Sequence, residues 1–167
     1  MYVMGFLGMD MVYRVIGALA LTLLISWKLK LNYALGAIVG LLHDVLITLG
    51  LLAMMGKEID LNIIAALMTL VGYSLNDTII VYDRIRENLQ NQPEDNPAPL
   101  ADIINLSVNQ TLGRTIMTSA TTLIAALSLT ILGGGAIHDF ALTMSLGVFI
   151  GTFSSVFVSN PILLLLG

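Results

Sequence analysis

Long apolar stretches constrain this 167-residue chain more than any other feature. A helix that crosses a bilayer needs about 20 mostly apolar residues. Five segments approach or meet that length: residues 11–27, 31–55, 61–82, 112–132 and 137–166. Only 11% of the residues are charged, whereas a soluble domain carries about 25%. So few charges cannot cover a water-facing surface, so the sequence predicts an all-α integral membrane protein, a single-domain bundle of five transmembrane helices in a lipid bilayer.

The composition also excludes several classes of function. The chain has no cysteine, which excludes disulfides and thiol-based metal or redox chemistry. It has no basic patch with interleaved aromatic residues, so we expect no nucleic-acid partner. We find no pattern of a metal site, a nucleophile–base pair or a phosphate-binding loop, so we expect neither enzymatic activity nor a cofactor.

Residues 83–110 are the one clearly polar segment, and their proline-rich, acidic centre predicts a loop. A short amphipathic helix at about 100–110 is expected to lead into the next span. The positive-inside rule places the side of the bundle with more Lys and Arg in the cytoplasm. That side carries Lys28, Lys30, Arg84, Arg86 and Arg114, against Arg14 and Lys57 on the other. The loop and the C-terminus are therefore predicted to be cytoplasmic, and we expect at least one further helix upstream.

Three ionisable residues fall within the predicted spans. Asp44 lies about 20 Å along its helix, near the middle of the bilayer, and Asp77 lies about 7 Å before Tyr82. Arg114 enters the next span from the same side, within reach of the depth of Asp77. A charge at mid-helix costs about 2.5–3.5 kcal/mol on insertion scales, so such residues usually face the bundle interior and find partners.

Small and hydroxyl residues accompany these charges at helical spacing, which predicts close helix packing and interhelical hydrogen bonds. The predicted inward faces carry Gly36, Gly40, Asp44 and Thr48; Thr69, Tyr73, Asn76 and Asp77; and Arg114, Thr118 and Thr121 or Thr122. A buried Asp–Arg pair can instead serve only to lock helices together. His43 fits a satisfied core residue better than a ligand, since no second histidine shares its span. Proton carriage remains a hypothesis for Asp77, because a carboxylate in a low-dielectric environment binds a proton more readily.

Four segments of the sequence carry recognisable motifs. They are HDVLITLG at 43–50, GYSLNDTIIVYDRIREN at 72–88, TLGRTIMTSATTL at 111–123 and DFALTMSLGVFIGTFSSVFVS at 139–159. In this order and spacing they closely resemble the SecF branch of the SecD/SecF family, which belongs to the resistance-nodulation-division superfamily. The resemblance covers about residues 15–167, and the NDT and DRIREN motifs are its most specific part.

The resemblance implies a subunit of the bacterial Sec protein-export machinery in the cytoplasmic (inner) membrane. Such a subunit would work with SecD, using the proton-motive force to assist export of a preprotein through SecYEG, with YajC and YidC as further candidate partners. The chain would correspond to helices two to six of a SecF-like half, with the first helix and the periplasmic domain absent. Two alternatives remain: a proton-coupled exporter of small molecules or lipids, and a purely structural subunit of a membrane complex.

The resemblance also implies roles for individual residues. Asp77 of the NDT motif corresponds to a proton-binding carboxylate, and Arg114 of the GRT motif to its basic partner. Asp44 is implied as a further member of this proton relay. The hydrogen-bonding residues expected around the relay are Asn76, Thr118 and Ser119. The energy source would be the proton gradient, without a cofactor.

Overall fold

The computed structural model describes residues 31–93 and 96–166. These residues form five helices: α1 (Leu31–Met54), α2 (Leu61–Gln90), α3 (Leu100–Leu132), α4 (Ala136–Phe157) and α5 (Ser159–Leu166). By length and hydropathy they provide four membrane-spanning stretches, because α4 and α5 together make the last one. Four of the five predicted spans are therefore present in the described part of the chain, and residues 11–27 lie outside it.

The polar segment between α2 and α3 is much shorter than the predicted loop over 83–110. The helix predicted at about 100–110 is present as the start of α3, whereas α2 continues to Gln90 through residues predicted as loop, so only residues 91–99 connect the two helices. The extensions pack on each other: Ile85 and Ile104 lie in one buried cluster, and the Asn88 amide donates to the Ser107 hydroxyl at 2.8 Å. Polar residues did not end the helices, because each extension has an apolar face that the other one covers.

The other end of the bundle is held by short polar contacts. Asp60 caps α2 by accepting a hydrogen bond from the Ile63 amide at 2.9 Å. This hydrogen bond, together with the Asn62 side chain, holds the pKa of Asp60 below its ordinary value of 3.8. Lys57 donates to Asp139 at 2.7 Å, joining the α1–α2 connection to the start of α4. A partly exposed ion pair of this kind contributes about 0–1 kcal/mol, so it positions the loop more than it stabilises the fold.

Helix α4 lies at the centre and packs against α1, α2 and α3. Its Gly147 allows close approach, because a Cβ there would collide with the Leu70 side chain of α2. Ala66, Leu70, Ala126, Met144 and Val148 form the buried cluster around this contact. Many leucine, isoleucine and phenylalanine side chains on the outer surface are exposed, as expected for a bundle in contact with lipid.

Two glycines of α1 bring it against the end of the chain. A Cβ on Gly36 would collide with the Tyr82 hydroxyl, and one on Gly40 would collide with the Ser159 hydroxyl. The Tyr82 hydroxyl donates to the Ser159 carbonyl at 2.8 Å, next to the interruption between α4 and α5. The Gly36–Gly40 step is therefore a packing contact, as its spacing suggested.

We expect Gly36→Ala to destabilise the bundle relative to Gly50→Ala. Both substitutions gain about 1 kcal/mol of helix propensity, and a Cβ on Gly50 meets nothing within 4 Å. At Gly36 the methyl group displaces the Tyr82 hydroxyl, and overpacking of this kind costs about 1–3 kcal/mol. Unfolding in mixed micelles of increasing denaturing detergent measures the difference. Equal midpoints for the two variants would contradict this account of the α1 contact.

Candidate functional site

Asp77 lies on the buried face of α2, in the membrane-spanning part of the helix. Its side chain is 2% exposed, and its Oδ2 atom has no hydrogen-bond partner among the described residues. Arg114 and Ser119 of α3 are the two residues whose charge and hydroxyl act on this carboxyl group. Leaving a buried carboxylate oxygen without a partner is costly if the group is charged.

Arg114 approaches Asp77 without forming an ion pair with it. Its positive charge acts on the Asp77 carboxyl group. Even so, no guanidinium nitrogen of Arg114 lies within 4.0 Å of a carboxyl oxygen of Asp77 among the described side chains. Arg114 is exposed on the outer surface of α3. The two side chains therefore do not form an ion pair in this structure.

Ser119 joins three helices at the level of Asp77. Its hydroxyl oxygen accepts hydrogen bonds from Tyr73 of α2 at 3.1 Å and from Thr152 of α4 at 2.8 Å. Ser119 is also the hydroxyl residue that interacts with the Asp77 carboxyl group. One turn earlier on α3, the Thr115 hydroxyl is also buried and lacks a partner in the described chain. Asp77 therefore faces a polar seam rather than an apolar core.

Asp44 occupies a second buried position, between α1, α2 and α4. It has no exposed surface. Its Oδ2 atom accepts a hydrogen bond from Ser74 at 2.6 Å, and its Oδ1 atom lies 3.2 Å from Nδ1 of His43. A Cβ placed on Gly151 of α4 would lie 3.4 Å from Oδ2, so α4 closes the third side of the pocket.

The two carboxylates are linked through α2. Ser74, which holds Asp44, precedes Asp77 by three residues, about one helical turn. On α4, Gly151 faces Asp44 while the adjacent Thr152 reaches Ser119. The structure thus places Asp44, Asp77 and Ser119 along one buried polar seam that crosses the bundle.

Two of the predicted hydrogen-bonding residues lie elsewhere. Asn76 is exposed on α2. The Thr118 hydroxyl donates to the backbone carbonyl oxygens of Arg114 and Thr115, both at 3.0 Å. In the described chain, therefore, Ser119 is the predicted neighbour that lies on the buried seam. Sequence reasoning missed Ser74 and Thr152, although the spacing of Ser74 from Asp77 is a signal that could have identified it.

Comparison with known proteins decides the family. The family model described as protein export membrane protein SecD/SecF, C-terminal, matches residues 5–167. The chain belongs to the SecD/SecF family. Proteins named protein translocase subunit SecF are similar to it: that of Thermodesulfovibrio yellowstonii is 45% identical over 159 residues, covering 95% of this chain and 52% of the relative. That of Rhodobacter capsulatus is 45% identical over 166 residues, covering 99% and 49%.

Solved structures agree with this membership. The chain superposes on a crystal structure of SecDF in a super-membrane-facing form with a TM-score of 0.82 and 41% sequence identity, covering 91% of this chain and 20% of that one. SecDF from Thermus thermophilus gives a TM-score of 0.81, also at 41% identity, covering 89% of this chain and 20% of that one. The resemblance inferred from the motifs is confirmed. This SecD/SecF-family chain spans about half the length of the curated relatives named above.

In this SecD/SecF-family bundle, Ser119→Ala should loosen the contact between α2, α3 and α4. The substitution removes the acceptor of the Tyr73 hydroxyl and the link to Thr152, whose hydroxyl keeps the Val148 carbonyl, and a lost intramolecular hydrogen bond costs about 0.5–1.5 kcal/mol. Ser128→Ala is the matched control on the same helix, because the Ser128 hydroxyl donates only to the Ile124 carbonyl one turn earlier. Detergent-induced unfolding compares the two. A Ser119→Ala midpoint no lower than that of Ser128→Ala would contradict the role of Ser119 as a junction.

Proposed function

We propose that the protein is a membrane subunit of the bacterial Sec protein translocase. With SecD, it uses the proton-motive force to assist preprotein export through SecYEG across the cytoplasmic membrane. Membership of a family named for protein export and likeness to proteins named protein translocase subunit SecF support a role in protein export. The buried carboxylates of a membrane bundle support the coupling to protons, because ionisable groups inside a membrane are typical of proton relays.

The observation that carries the proposal is the unpartnered Oδ2 atom of Asp77. When Asp77 is charged, it attracts Arg114, and when it is protonated, that attraction is lost. The separation of the two side chains without an ion pair fits a state in which the attraction is weak. Protonation from the outer side and release to the cytoplasm would then alternate between two arrangements of α2 and α3.

The energy available for this alternation is adequate. Moving one charge through a membrane potential supplies about 2.3 kcal/mol per 100 mV. A ligand shifts a conformational equilibrium by as much as its binding free energies for the two states differ. A proton that binds Asp77 in one helix arrangement and leaves in the other therefore biases the bundle in each cycle. The proton gradient is the energy source, and no cofactor is needed.

The outer surface of the bundle supports SecD as the partner. Asn76 of α2 and Arg114 of α3 are exposed within membrane-spanning helices, and a Cβ on Gly72 or Gly113 would meet nothing within 4 Å. Lipid tails cannot satisfy an amide or a guanidinium group, while small residues favour close helix contacts. A neighbouring helical subunit would satisfy both requirements. SecYEG, YajC, YidC and the preprotein would associate with the assembled pair.

The proposed orientation places the α2–α3 connection and the C-terminus in the cytoplasm. Arg84 and Arg86 lie at the connecting end of α2, and positively charged residues concentrate on the cytoplasmic side of membrane proteins. Asn32 near the start of α1 donates to the Leu166 carbonyl at 2.8 Å. The start of α1, the end of α5 and the α2–α3 connection would therefore share the cytoplasmic side.

Asp77→Asn should abolish proton-driven export, because the amide keeps the shape of the carboxyl group but cannot bind and release a proton. The measurement is translocation of a secreted reporter into vesicles that carry the full-length protein with SecD, with and without a proton gradient. Asp83→Asn is the control, because Asp83 lies on the same helix but is exposed in its polar extension. Gradient-dependent export by Asp77→Asn at the wild-type rate would refute the carrier role. Normal export combined with hypersensitivity to toxic compounds would favour the small-molecule or lipid exporter.

Arg114→Ala tests whether the subunit is purely structural. A relay role predicts normal co-purification with SecD together with lost gradient-dependent export, and partial recovery in Arg114→Lys, which retains the charge. A purely structural subunit predicts that assembly falls in parallel with export. Quantifying SecD co-purified with each variant, beside the export rate, distinguishes the two functions.

A further inference from the structure

Thr115 differs from the other threonines of α3 in its hydrogen bonding. The other five donate to backbone carbonyl oxygens of their own helix: Thr111, Thr118, Thr121, Thr122 and Thr130. A threonine in a helix commonly bonds the carbonyl group three or four residues earlier. The Thr115 hydroxyl makes no such bond, and it has no other partner among the described residues.

The alignment of α2 and α3 places Thr115 opposite Asp77. The two helices run in opposite directions, because the hydrogen bonds between them pair Tyr73 with Ser119 and Asn88 with Ser107. Four residues forward along α2 from Tyr73 is Asp77, and four residues back along α3 from Ser119 is Thr115. Both steps are about one helical turn, so the two side chains lie at the same level of the bundle.

An acceptor and a donor are thus left unpaired on facing positions. Asp77 and Thr115 are each 2% exposed, and neither Oδ2 of Asp77 nor the Thr115 hydroxyl has a partner within the described chain. A buried polar group without a partner lowers the stability of a fold. The two groups are complementary, since a carboxylate oxygen accepts the hydrogen bond that a hydroxyl donates.

We propose that Thr115 is a positioning residue for proton release by Asp77. Its hydroxyl donates to Oδ2 once Asp77 has lost its proton, in the second arrangement of α2 and α3. The inference rests on the proposed proton coupling and adds to it a donor on α3 besides Arg114 and Ser119.

The bond contributes because only one arrangement makes it. The described arrangement has neither this hydrogen bond nor an ion pair between the described Asp77 and Arg114 side chains. An interaction present in one arrangement alone shifts the equilibrium towards that arrangement. Thr115 therefore favours the arrangement with a charged Asp77, and the unpaired hydroxyl is what this costs in the other one.

Thr115→Val separates this role from packing. Valine has the branched shape of threonine without the hydroxyl, so it cannot donate to Asp77. It also removes a buried group that lacks a partner, which should make the bundle more resistant to unfolding. Thr115→Ser keeps the hydroxyl. Thr111→Val is the matched control one turn earlier on α3, because the Thr111 hydroxyl already donates to the Ser107 carbonyl at 2.9 Å.

Two measurements are made on the full-length protein assembled with SecD: gradient-driven proton uptake into vesicles containing a pH-sensitive dye, and the midpoint of unfolding in denaturing detergent. We expect Thr115→Val to unfold at a higher midpoint than the wild type and yet to take up protons about tenfold more slowly. A hydrogen bond to a charged group is worth about this factor. Thr115→Ser should stay close to the wild-type uptake rate. Thr111→Val should also match that rate, without a higher midpoint.

A packing role for Thr115 predicts the opposite combination, in which Thr115→Val lowers the midpoint and uptake falls with it. That result would overturn the proposal. Uptake by Thr115→Val at the wild-type rate would overturn it as well, because the hydroxyl would then have no part in the cycle. Uptake by Thr115→Ser as slow as that by Thr115→Val would count against it in the same way.

Asp77→Asn, measured in the same vesicles, distinguishes failure of this inference from failure of the proposed function. Lost uptake in Asp77→Asn together with wild-type uptake in Thr115→Val refutes the role of Thr115 alone. Wild-type uptake in Asp77→Asn refutes the carrier role of Asp77, and the inference falls with it. Co-purification of SecD with each variant verifies that assembled complexes are compared.

Discussion

The Asp44 carboxyl group is enclosed by three helices, with the Ser74 hydroxyl at 2.6 Å and the His43 imidazole at 3.2 Å. In a medium of low dielectric constant, such a group requires hydrogen-bond partners, and it holds in register the helices that supply them. The positions of α1 and α2 relative to α4 follow from this requirement. Asp77 then lies about one turn along α2, facing α3, because Ser74 fixes which face of α2 turns inward.

Small residues on α4 make this arrangement possible. Gly147 accommodates Leu70, and Gly151 leaves α4 next to the Asp44 pocket, while Thr152 reaches across to Ser119. Without a hydrophobic driving force between helices in lipid, packing and interhelical hydrogen bonds hold such a bundle together. The residues that hold this bundle together are therefore also those that surround its ionisable groups, so any change in the charge of these groups would act directly on the helix contacts.

The sequence predicted the parts of the fold that depend on hydropathy and on the energetic cost of charge. Four spans appear where apolar length required them, and Asp44 and Asp77 are buried. The amphipathic helix expected at about 100–110 is present as the start of α3, but the continuation of α2 to Gln90 was not predicted, because hydropathy does not reveal that the two extensions cover each other. The neighbours of Asp77 were harder to predict: Asn76 and Asp77 point about 100° apart, so small errors in the assumed helix phase exchange buried positions for exposed ones. Arg114 was predicted on an inward face as well, yet it is exposed on α3.

Tyr82 connects the helix that carries Asp77 to the end of the last membrane span. It lies five residues beyond Asp77 on the same helix, and its hydroxyl holds the Ser159 carbonyl beside the point where α4 gives way to α5. Pro161 has no amide hydrogen to restore a continuous helix there, so α4 and α5 stay two separate helices. Because α2 is an uninterrupted helix from Leu61 to Gln90, any rotation of α2 at Asp77 would also displace Tyr82 and its hydrogen bond to the Ser159 carbonyl.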